Sequence, residues 1–177
     1  MMRALLDACV LYPTIQREIL LGVASRGDYC ALWSARILEE WARAAERAGA
    51  DVGGQARVEI ALLNDRFGDA IVPAPPRDDL RLPDLDDIHV LSAAIEGRAD
   101  LIVTRNLKDF PRRALMPHGL YAIDPDTFLM ACHAERSLAD PVEVVRARTA
   151  QISGREQPLR PLLKRAGLPR LGKALSA

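Results

Sequence analysis

The chain has 177 residues, 49% hydrophobic and 27% charged. That length suits one domain of ordinary size, about 100 to 150 residues, with at most a short appendage, and the composition is that of a folded protein. Its 24 Lys+Arg balance 24 Asp+Glu, so no overall field draws it to nucleic acid or to a membrane, and any such surface has to be local. Cys9, Cys30 and Cys132 are odd in number and widely spaced, which argues against a disulfide framework or a zinc knot and for reduced thiols. The apolar start MMRALLDACVLY is interrupted at Asp7, so it matches neither a signal peptide nor a membrane span of about 20 residues. A cytoplasmic protein with no membrane partner is expected.

In chain order, ALL at 4–6 reads as a first strand. Pro13 opens a helix in which Ile15, Ile19 and Val23 repeat every four residues, ending near Gly27. ALW at 31–33 reads as a second strand, with Ser34 as N-cap of a helix carrying Ile37, Leu38, Trp41 and Ala45 and stopped by Gly49. A further helix carrying Val58, Ala61, Leu62 and Leu63 follows Gly53 and Gly54, and AIV at 70–72 reads as a strand halted by Pro73, Pro75 and Pro76. The acidic start PDLDD at 83–87 leads into a helix with Leu91, Ala94 and Ile95 on one face. LIVT at 101–104 is the clearest buried strand, and LYAI at 120–123 adds a fifth.

Beyond Pro125 the strand signals stop, and helices are expected at about 126–135, 140–151 and 158–167. From 141 onward eight basic residues face two acidic ones, a net +6, which leaves −6 on the first 140 residues. The pattern predicts a three-layer α/β/α sandwich around a central parallel sheet over residues 1–130, followed by a basic helical C-terminal extension over 131–177.

Ligands of open α/β sheets bind outside the carboxyl ends of the strands. Asp7 directly follows the first strand, Asn106 and Asp109 follow LIVT, and the aspartates at 84–87 open the helix leading into LIVT. With a glutamate from Glu39-Glu40, four distant segments offer carboxylates at one end of the sheet. Gathering such charges is costly, and a divalent cation removes the cost. Carboxylate oxygens suit Mg²⁺ or Mn²⁺ rather than zinc, and such an ion activates water toward phosphodiesters.

Three stretches, LLDACVLY, WSARILEEW and LPDLDDIHVLSAAIEGRADLIVTRNLKDFP, in this order and spacing, resemble the PIN domain, in particular the VapC-like toxin ribonucleases of bacterial toxin–antitoxin pairs. The resemblance covers residues 3–130. It implies a Mg²⁺- or Mn²⁺-dependent endoribonuclease that hydrolyses RNA, is usually dimeric and is held inactive by a small antitoxin. It places the family acids on Asp7, Glu40 and Asp87. Asn106 stands where a fourth acid is often found, so that Asp109 takes its part. Asp84 and Thr104 are accessory to this set, as is Asn106 itself. The extension resembles the helical tail of some VapC-like members.

Each residue also has a plainer reading. Carboxylates at 84–87 cap a helix N-terminus and favour its dipole. Asp7 on its own ends a strand, and Glu40 on its own is a solvated helix residue. Arg36 and Arg105 are read either as phosphate contacts or as partners of nearby carboxylates, with the pairing favoured. The three histidines read as surface or structural residues, Cys9 as a small buried hydrophobe, and Trp33 and Trp41 as core or partner-facing. The Asn106 departure keeps open a catalytically silent PIN-like protein that binds RNA or a partner. A phosphatase of the haloacid dehalogenase type would need an aspartate where Cys9 stands.

Overall fold

The computed structural model describes residues 1–176. Four short strands form one sheet: β1 (Arg3–Leu6), β2 (Cys30–Leu32), β3 (Leu101–Val103) and β4 (Tyr121–Ile123), in the order β2-β1-β3-β4. All three pairings are parallel, with Leu5 opposite both Leu32 and Ile102. Parallel neighbours need long crossovers, and the helices of these crossovers cover both faces. Leu5, Leu6, Ile102 and Val103 are accordingly wholly buried, and β3 and the part of β1 after Arg3 read as unbroken apolar runs.

The crossover after β1 carries the short α1 (Ala8–Leu11) and α2 (Thr14–Ser25). Pro13 stands just before α2, in the N-cap position. From β2 the chain passes through α3 (Ala35–Ala48) and α4 (Ala50–Arg66). Ser34 caps α3 by accepting from Ile37 N at 3.2 Å. The helix expected after Gly53 and Gly54 instead runs through both from Ala50. Gly53 is where α4 meets α3, since a Cβ there would stand 2.5 Å from Glu46 Cγ and 2.9 Å from Glu46 Cα, a contact only glycine permits. Of the apolar residues that marked this helix, Leu63 turns inward, whereas Val58, Ala61 and Leu62 are exposed.

The strand expected at 70–72 does not form. One parallel bridge joins Trp33 to Ile71, with Trp33 N donating to Ala70 O and Val72 N donating to Trp33 O, both at 2.9 Å. The ladder stops there because Pro73, Pro75 and Pro76 have no N–H to extend it. The chain then crosses to α5 (Ile88–Glu96) and β3, and passes α6 (Arg112–Leu115) on its way to β4.

Four helices follow: α7 (Pro125–Glu135), α8 (Ala139–Ser153), α9 (Leu159–Arg165) and α10 (Pro169–Ala174). The last was not marked by the sequence pattern, and α7 runs without interruption through residue 130. Phe128 of α7 meets Tyr29 edge to face at 4.9 Å, a favoured aromatic geometry. Val142, Leu163, Leu168 and Leu171 join the same buried cluster as the sheet. Asp126 of α7 is buried and accepts from Arg170 N at 2.8 Å and Leu171 N at 3.0 Å, so it caps α10 from 44 residues away.

Candidate functional site

Between β1 and β3 the strand order reverses, because the chain leaves β1 toward β2 on one side and returns to β3 on the other. Such a switch point opens a crevice beyond the strand ends. Asp7 leaves β1 into this crevice, its N–H bonded to Val103 O at 3.1 Å, and is only 5% exposed. Its Oδ2 accepts from Thr104 Oγ1 at 2.7 Å and from Cys9 Sγ at 3.1 Å. Thr104 Oγ1 in turn accepts from Asn106 N at 3.1 Å. With that amide donating to it, the hydroxyl has its own hydrogen free to face Asp7, which is the direction an ionised carboxylate needs.

Cys9 is not the buried hydrophobe expected. It is partly exposed and polar in its contacts, accepting from Arg105 N at 3.2 Å while it faces Asp7. Burial, and then the charge of Asp7, push its thiol up to about 12, so it stays protonated as a donor rather than a nucleophile.

Glu40 comes from α3 and Asp87 from the turn that opens α5. The Asp87 carboxyl is pushed up to about 6, first by partial burial and then by the charges of Asp7, Asp84, Asp109 and Glu40. Burial by itself raises a carboxyl, and the four like charges raise this one further. Asp7, Glu40, Asp84 and Asp109, from the end of β1, from α3, from the turn before α5 and from the loop after β3, are therefore near enough for their charges to act on Asp87.

The two adjacent glutamates part company. Glu39 is held by Arg43 at 3.0 Å and Arg57 at 3.1 Å on the far side of the helix, whereas Glu40 faces the acids. Asp84 also serves as a cap, its Oδ1 accepting from Asp86 N at 2.9 Å. Asp109 sits in a 3₁₀ turn, Leu107–Asp109, and Asn106 is exposed at its entry.

His89 was read as a surface or structural residue. It is 5% exposed, and its Nε2 lies 2.7 Å from Glu40 Oε1. Neither ring nitrogen has an aligned hydrogen-bond partner, so the contact is a close approach off the axis of the ring N–H. A buried polar ring without a proper partner is costly, and here it leans on a carboxylate of the cleft. Its position two residues after Asp87 was the available signal. Arg36 pairs with Glu40 at 3.6 Å, as expected. Arg105 does not pair: among the described residues it forms no ion pair with a carboxylate. Trp33 and Trp41 are core residues, 0% and 2% exposed.

The donor set is a group of oxygen ligands with excess negative charge, in which Arg36 is the one Lys or Arg paired among the described residues, and it fits a hard divalent cation in charge and in donor chemistry. Among the described residues no three His, Cys, Asp or Glu side chains converge tightly enough to hold an ion by themselves. Mg²⁺ makes no such demand, since it is held through one or two carboxylates and keeps several waters. The fit is of that kind.

A parallel α/β sheet with such an acidic crevice at its switch point defines a class. A family model described as PIN domain matches residues 3–108, more than half of the chain, and the chain belongs to the PIN-domain family. Over 44 residues it is 54% identical to a Mycobacterium tuberculosis protein named "Putative ribonuclease VapC50", a stretch that covers 25% of this chain and 26% of that relative. The matched stretch is thus about a quarter of the length of each. No solved structure matches. Among the described residues no helix is long and apolar enough to cross a membrane.

Proposed function

We propose that the chain is a divalent-metal-dependent endoribonuclease and the toxin half of a toxin–antitoxin pair, working in the cytoplasm as a homodimer. The observation that supports this reading is the gathering of the charges of Asp7, Glu40 and Asp109 around Asp87, beyond the capping Asp84, a repulsion that a cation would relieve. When bound, Mg²⁺ or Mn²⁺ supplies charge stabilisation to the phosphoryl oxygens and acidity to a water molecule. The side chains do the rest. Asp7, fixed by the Thr104 hydroxyl and the Cys9 thiol, and Asp87 would hold the ion, with Glu40 and Asp109 reaching it through water. Water attacks phosphorus, the P–O bond on the far side breaks, and the leaving oxygen takes up a proton. No side-chain nucleophile is needed.

The test is cleavage of total RNA by the isolated chain, expected with Mn²⁺ or Mg²⁺, absent with EDTA and restored by adding metal. Induced expression should also arrest growth unless an antitoxin is supplied. The exposed Asn106, standing where relatives carry an acid, favours a second reading, a silent PIN-like protein that binds RNA or a partner. That reading requires no cleavage and no Mn²⁺ binding dependent on Asp7 and Asp87.

His89 gives a finer check. Replacing it with Leu frees Glu40 from its ring contact and should lower activity or metal affinity by about 10- to 100-fold, the usual cost of losing a group that orients a metal ligand. His89→Gln, which keeps a polar N–H, should recover most of the loss. Equal loss in both variants with unchanged circular dichroism would remove His89 from this role.

A further inference from the structure

The chain is neutral overall, and much of its positive charge is engaged: Arg57 with Glu39 and Glu46, Arg77 with Asp79 and Glu96, Arg146 with Glu143. Arg47, Arg98 and Arg155 are scattered exposed cations without an ion pair among the described residues. After β3, by contrast, Arg105, Lys108, Arg112 and Arg113 are exposed and form no ion pair among the described residues. The same holds for Arg160, Lys164 and Arg165 of α9 and Lys173 of α10. Arg165 donates only to the neutral Gln157 Oε1, at 3.3 Å.

The two groups come together at Arg105. Gly167, two residues past the end of α9, lies on the Arg105 side chain, and a Cβ there would stand 3.7 Å from Arg105 Nη2. Arg105 N donates to Cys9 Sγ, which faces Asp7. The turn after α9 thus rests on the side chain of a residue whose backbone is bonded to the wall of the acidic site. It is also held firmly. Leu162, Leu163, Leu168 and Leu171 are buried, and Asp126 caps the next helix. A tail of solvated charge needs no such anchoring.

An acidic cleft repels the substrate proposed for it. Until a cation is bound, each phosphate approaching Asp7 and Asp87 meets like charge, so the backbone has to be held from outside the cleft. Fixed, exposed, unpaired cations at its rim supply that hold. We propose, on the strength of the ribonuclease reading above, that α9 and the turn after it form, with Arg105, a phosphate-binding ridge. The ridge seats the RNA backbone beside the bond to be cut. It presents guanidinium and ammonium groups and no exposed aromatic ring, so it gives affinity without reading sequence.

The test is binding in EDTA of two fluorescent 12-nucleotide single-stranded RNAs of different sequence, read by anisotropy at 50, 100 and 200 mM KCl. The parent is compared with the triple variant Arg160→Gln, Lys164→Gln, Arg165→Gln. Losing three phosphate contacts should weaken binding by about tenfold or more at 100 mM and flatten the slope of log K against log salt by about 2, since each contact to a single strand contributes roughly 0.7. Both RNAs should lose equally. Arg43→Gln with Arg57→Gln, which removes cations already neutralised by Glu39 and Glu46, should change neither quantity.

Parent affinity and slope in the triple variant would overturn the proposal, as would equal weakening in the control pair. Intact RNA affinity with an altered sedimentation coefficient would assign the ridge to contact with another protein chain and overturn it too. Because binding is read without metal, the two readings fail separately. Affinity lost in the triple variant while the parent fails to cut with Mn²⁺ supports the ridge and removes the nuclease.

Discussion

Asp7→Asn is expected to reduce RNA cleavage by at least about 10³-fold while leaving the fold intact. On a scale of about 1.4 kcal/mol per factor of ten, that loss corresponds to about 4 kcal/mol, within the several kcal/mol of charge stabilisation a metal ion provides. The fold survives because the amide oxygen can still accept the Thr104 hydroxyl, which lies 2.7 Å from Oδ2 in the parent. What is lost is the negative charge at the head of β1. The checks are initial cleavage rates at saturating Mn²⁺ and a thermal melt of both proteins. Cleavage at the parent rate would reject the mechanism, and a collapsed melt would call for Asp87→Asn in its place.

Asp87→Asn should separate stability from activity. In the unfolded chain this carboxyl titrates near 3.8, and in the folded one near 6. The folded state therefore binds the proton more tightly, so its stability falls as pH rises through that window, and above about 6 the cost stands in full. Unscreened, the shift corresponds to about 3 kcal/mol; Asp87 is half exposed, and solvent screening brings the cost to the order of 1 kcal/mol. Without metal at pH 7.5 the variant should melt about 2 to 4 °C higher than the parent, the shift that 1 kcal/mol gives in a chain of this size. Its melting temperature should also vary less with pH between 4.5 and 7. Adding Mn²⁺ should stabilise the parent more than the variant, and the variant should not cut RNA. Identical pH profiles for the two proteins in EDTA would show that Asp87 is not under repulsion.

The sheet was largely legible because burial on both faces leaves short apolar runs, which their length and flanking residues mark as strands. Leu5, Leu6, Ile102 and Val103 are unbroken apolar runs for that reason. The run at 70–72 carries the same mark and yet makes one bridge, because strand length depends on neighbouring N–H groups as well as on apolarity, and three prolines follow. Ser34 was legible as a cap, since a cap is a local event. Asp126 was not: its two amide donors come from a helix that folds back from 44 residues further on.

The site shows the same division. Asp7 and Asp87 stand at element ends that the sequence locates, so their convergence followed from topology. Helical phase hardly separated Glu40 from Glu39. The difference is made by Arg43 and Arg57, the second on another helix, which draw Glu39 away. His89, read as a surface or structural residue, is buried against Glu40, whereas Cys9, read as a buried hydrophobe, departs from that reading through its contacts with Asp7, Thr104 and Arg105.

The Asp126 cap bears on how the chain comes apart. A carboxylate rooted in α7 that holds two amides of α10 makes the last helices a wall of the interior rather than an appendage. Body and tail then share one cooperative melting event. A chain truncated after residue 130 would be left with a severed α7, an orphaned acid and bare leucines, and would aggregate rather than behave as a trimmed enzyme.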